Sequence, residues 1–133
     1  MVRLKFLSVS VLVVLMLCSS GLAEVLEIEI DVAPNVLNIQ NNGNTVTVHT
    51  NLIYGDVVAG GVELNGIDIN SWKVDNRGYF VAKFLINELK TLEGLRIDAY
   101  NTLALTGVLK DDTVFVGSAE IMVIDVVNEK RGN

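Results

Sequence analysis

Past residue 20 the chain holds few side chains able to do chemistry. Its one histidine, His49, lies between Val48 and Thr50, and its one cysteine is Cys18. A catalytic or metal-binding His needs partners, and no second His or later Cys is there to supply one. The serines beyond Ser20 are Ser71 and Ser118, and neither lies in a Gly-x-Ser-x-Gly elbow. Gly55, Gly60 and Gly61 lack the Lys-Ser/Thr that completes a phosphate loop. Asp111 and Asp112 are adjacent in a polar turn, whereas calcium takes roughly six to eight oxygens. No residue is therefore assigned to catalysis, cofactor binding or a metal, and calcium is the one cofactor left open. Trp72 and Tyr79 are the candidate platform for a carbohydrate, because sugars stack on exposed aromatic rings.

These residues sit in a chain whose start has the three parts of a secretory leader. Arg3 and Lys5 supply the charge, Phe6 to Leu17 the apolar stretch, and Gly21-Leu22-Ala23 the small-x-small cleavage pattern. The apolar stretch is roughly 12 residues, short of the ~20 that cross a bilayer. Leu17 before Cys18 is too large for the lipoprotein peptidase pocket, so lipidation is not expected. The expected division is a signal peptide at 1–23, a β-domain at 24–127 and a polar tail at 128–133. Cleavage removes the only cysteine and two cations, taking the formal charge from −6 to −8. An acidic surface repels phosphate backbones, which excludes nucleic acid as a partner. Without disulfides, stability in an oxidising compartment has to come from packing.

The apolar residues that follow alternate with period two, the signature of half-buried strands. Leu26, Ile28, Ile30 and Val32 alternate with Glu27, Glu29 and Asp31, up to Pro34, which ends the run. Val36, Leu37 and Ile39 predict a second strand, closed by Gln40-Asn41-Asn42-Gly43, where Asn-Gly is the turn signal. Thr45 to Thr50 predicts a third with Val46 and Val48 inward; Val62 and Leu64 predict another, ended by Asn65-Gly66. Trp72 to Val74 and Tyr79 to Ile86 flank the turn Asp75-Asn76-Arg77-Gly78, with Phe80, Ala82, Phe84 and Ile86 on one face. Leu89, Leu92 and Leu95 predict a helical turn within Asn87 to Gly94. Strands are then expected at Leu95 to Ala99, Leu103 to Leu109 and Val114 to Val116, and after a break at Gly117-Ser118, at Glu120 to Val127. About seven to nine short strands with turn signals between them predict an all-β fold, an antiparallel sandwich with a small barrel as the alternative.

The order of these segments resembles a small immunoglobulin-like module found in secreted archaeal and bacterial proteins. The matching stretches are Ile30 to Ile39, Val62 to Gly66, Lys73 to Gly78, Phe80 to Leu85, Leu105 to Leu109, Phe115 to Ser118 and Ile121 to Val123. They cover nearly all of the chain after the leader. The resemblance implies an immunoglobulin-like sandwich whose members often carry an Asp-x-Asp-Gly-like loop. Here that loop reads Asp75-Asn76-Arg77-Gly78, with a cation where a calcium site wants an oxygen.

Two functional classes follow as expectations. One is a non-enzymatic structural or adhesive protein of the cell exterior, working through protein contacts, self-association or strand addition by Leu26, Ile28, Ile30 and Val32. The other is an extracellular module that binds carbohydrate or calcium with loops at one end of the sandwich. An enzyme is not expected, for want of a nucleophile–base pair.

Overall fold

The computed structural model describes residues 25–127; the expected leader, its cleavage site and the polar tail lie outside them. Nine strands form one curled, mixed sheet: β1 (Val25–Ala33), β2 (Val36–Asn38), β3 (Thr45–Ile53), β4 (Glu63–Leu64), β5 (Ile67–Asp68), β6 (Ser71–Val74), β7 (Tyr79–Leu85), β8 (Ala99–Val108) and β9 (Val114–Ile124). The neighbour order is β5-β4-β8-β9-β1-β3-β7-β6, with β2 alongside β9. The protein is thus all-β, as the alternation predicts.

One wing of the sheet is β3, β7 and β6, the other β4, β5, β8 and β9, and both bury their apolar faces in a single core. Val46 and Val48 of β3 and Phe80, Ala82 and Phe84 of β7 meet Leu64 of β4, Leu103 and Leu105 of β8, and Phe115, Ile121 and Val123 of β9. Alternation dictates this, since each strand sends every second side chain inward. Two polar side chains are buried with them, Thr50 at 7% and Asn101 at 8% exposed, and Asn101 lies at the start of β8. Its side chain accepts from the Arg96 N–H at 2.8 Å and donates to the Arg96 and Ala99 carbonyls. These bonds satisfy the chain where it turns into β8.

Four expectations are corrected. The sheet is not wholly antiparallel, because Val25–Glu29 of β1 and all of β2 run parallel to β9. Alternation shows which residues face the core, not which neighbour a strand takes, and β9 comes from the far end of the chain. The turn after β2 lies at Ile39-Gln40, where the Asn41 N–H donates to the Asn38 carbonyl at 2.9 Å, and not at Asn42-Gly43, neither of which has positive φ. The tight turn is Asn65-Gly66, with φ of 49° and 86°, which joins β4 to β5. Leu95 to Ile97 is not a strand; Asp98, at φ 59°, leads into β8 at Ala99. The expected helical turn is one turn, α1 (Ile86–Leu89), with Leu92 and Leu95 packed beyond it.

The fourth correction concerns β9, which runs unbroken through Gly117-Ser118. Glycine is required there by a close approach, not by a break. A Cβ on Gly117 would lie 2.8 Å from the Ile28 carbonyl oxygen and equally near Ile28 Cγ1 and Ile30 Cγ2.

Candidate functional site

β1 changes partners halfway along its length. Val25–Glu29 pair with Val114–Ser118 of β9, and Ile30–Ala33 then pair antiparallel with Thr47–Thr50 of β3. No strand pairs β9 with β3 directly, so among the described residues β1 is the only ladder linking the two wings.

The change of partner coincides with a bulge in β3. Register with β7 shifts between His49 and Ile53. The buried Thr50 hydroxyl donates to the Phe80 carbonyl at 2.7 Å and accepts from the Leu52 N–H at 3.1 Å. A bulge bends its strand, and β3 leaves register with β1 beyond Thr50, the partner of Ile30. Upstream of Ile30 the strand pairs with β9 instead, and it reaches β3 by passing over Gly117. The absence of a side chain there makes a notch that receives Ile28 and Ile30.

The alternation expected of β1 is present. Val32 is buried, Ile28 and Ile30 are half-buried against the core, and Leu26, at the open end, is 40% exposed. Glu27, Glu29 and Asp31 face out and are exposed. An open cleft marks the fork where β1 leaves β9, lined by Glu27–Ile30 and Val116–Ser118. Beyond Ala33 the chain is exposed at Pro34 and Asn35 before β2 begins.

Trp72 and Tyr79 do not form one platform. Trp72 lies opposite Ala82 and Val74 opposite Phe80, so Trp72 shares the face of β7 that carries Phe80, Ala82 and Phe84. Tyr79 belongs to the alternate set with Val81 and points to the other face. Trp72 is 43% exposed at the sheet edge, whereas Tyr79 is half-buried with the Arg77 guanidinium 5.4 Å from its ring centre.

The turn acids serve the backbone. Asp75 Oδ1 accepts from the Tyr79 N–H at 2.9 Å and the Arg77 N–H at 2.8 Å, closing the β6–β7 hairpin. These bonds, the Tyr79 one foremost, and the charges of Arg77 and His49 hold its carboxyl below the ordinary value. Asp111 is lowered in the same way by the Thr113 hydroxyl and the Thr113 N–H. His49 is exposed on the outer face, in register between Asp31 and Val81. Among the described residues no group of three or more His, Cys, Asp or Glu is placed to hold a metal ion. None of the described helices is long and apolar enough to cross a membrane.

Alternation marks Ile28, Ile30 and Val32 as the residues of β1 that pack on the core, whereas Leu26 is exposed, and it does not mark the two residues that seat the strand, Gly117 and Thr50. An isolated glycine inside an alternating strand is the available signal for the first. Thr50 gives none, since a threonine in a strand is ordinary.

No family model, curated protein or solved structure matches this chain.

Proposed function

We propose that this is an exported, non-enzymatic β-sandwich of immunoglobulin-like type that acts at the cell exterior through protein–protein contacts, with β1 as the contact strand. The tripartite leader supports export, and the single core shared by both wings supports the sandwich. The observation that carries the role is the place of β1. It is the first strand after the expected cleavage site and, among the described residues, the only ladder between the wings, and it is held by one backbone edge at a time. A strand so placed can close its own domain or complete a neighbour's.

The test is the mass of the exported chain in solution across a concentration series. Multimers that disappear when residues 24–32 are deleted are expected. A monomer at every concentration contradicts the reading.

A further inference from the structure

Resting on that reading, the geometry points to a particular partner for β1: we propose that the strand exchanges reciprocally between two copies of this chain, each β1 filling the other's seat between β9 and β3.

The seat is specific to this sequence. It has a notch at Gly117 shaped to the Ile28 carbonyl oxygen and to the side chains of Ile28 and Ile30. Past the notch it offers Thr47–Thr50 of β3, where Val32 is buried opposite Val48. An occupant must therefore present Ile-x-Ile-x-Val in one register, crossing from a parallel to an antiparallel partner at the central Ile. The second copy meets that requirement because its β1 is the same strand.

The exchanged strand makes the same contacts in the neighbour as at home, so the two forms differ mainly at the segment that leads out of it. That segment, Ala33-Pro34-Asn35, is exposed throughout. It lies between the last β1–β3 pair, Ala33 with Thr47, and the first β2–β9 pair, Val36 with Met122. β2 stays on β9 while β1 swings out. Simple edge-to-edge pairing of two β1 strands is disfavoured, because Glu27, Glu29 and Asp31 would bring like charges together on one face. Exchange keeps each carboxylate beside the neighbours it already has.

Two cysteine pairs across the seat test this, each in the full chain carrying Cys18→Ser so that the introduced thiols are the only ones. Glu29→Cys with Ser118→Cys bridges β1 to β9, and Asp31→Cys with His49→Cys bridges β1 to β3; all four positions are exposed register partners. The exported proteins are held reduced, equilibrated over about a hundredfold range of concentration and then oxidised, since exchange follows mass action. Masses are read before oxidation by light scattering and afterwards on non-reducing gels.

Exchange predicts a covalent two-chain species that rises with concentration for both pairs. Intrachain bridges at every concentration overturn it. If light scattering then shows multimers, exchange fails while β1 contact by another geometry stands. If it shows only monomer, both fail.

Discussion

The carbonyl oxygen of Ile28 stands 2.8 Å from the point where a Cβ on Gly117 would be. That approach fixes where β1 crosses from one wing to the other, and it has a measurable cost if blocked. Gly117→Ala is expected to lose about 1–3 kcal/mol, since the obstacle is backbone and cannot rotate away. Gly60→Ala, with nothing within 4 Å of its Cβ position, is the control and should change little. Denaturant titration of the two variants gives the comparison. Equal stabilities would show that β1 does not press on Gly117.

Thr50 sets the bulge that separates β1 from β3. Thr50→Val keeps the shape but strands the Leu52 N–H and removes a donor from the Phe80 carbonyl. A loss of about 1–3 kcal/mol is expected, with faster amide exchange in the Ile30–Ala33 ladder. Thr50→Ser retains the hydroxyl and should restore most of both. An unchanged exchange pattern in Thr50→Val would disconnect the bulge from β1.

Asn101 makes three bonds at the entry to β8, two to Arg96 and one to Ala99, none of which Leu can replace. Asn101→Leu is nearly isosteric, so its expected cost of about 1–3 kcal/mol comes from unsatisfied backbone groups at Arg96 and Ala99. Thermal unfolding reads it directly. A neutral substitution would mean that water serves those groups equally well.

Acid should find the turn at Asp75. Its folded-state pKa lies below the ordinary 3.8, so its contribution is present above that value and is lost as pH falls through the lower folded value. Asp75→Asn keeps an acceptor oxygen but has no charge to titrate. The stability gap between wild type and Asp75→Asn is expected to hold steady at neutral pH and to close below 3.8. A gap that is constant into strong acid would remove the carboxylate from the turn's stability.

Much of this fold is legible from single residues and their neighbours. Val46, Val48, Phe80, Ala82, Phe84, Ile121 and Val123 are all inward, as period-two alternation requires. The Asp75–Gly78 hairpin and the Asn65-Gly66 turn follow from local turn chemistry, and both are present. What was not legible depends on residues far apart in sequence. Asn42-Gly43 has the composition of a tight turn, but β2 takes β9 as its neighbour and leaves no hairpin to close. Gly117 looks like a break until Ile28 is placed above it. In the candidate site, the apolar face of β1 was visible in the alternation, whereas its seat is assembled from β3 and β9. Trp72 and Tyr79 look like a pair in sequence, but strand parity sends them to opposite faces.

The measurement that bears most directly on the role of β1 is light scattering on the exported chain, intact and lacking residues 24–32. The intact chain is expected to form multimers whose share rises with concentration, and the shortened chain is expected to form none. Monomers of the intact chain at every concentration, with a shortened chain that simply melts, would make β1 an internal strand and contradict the assembly role.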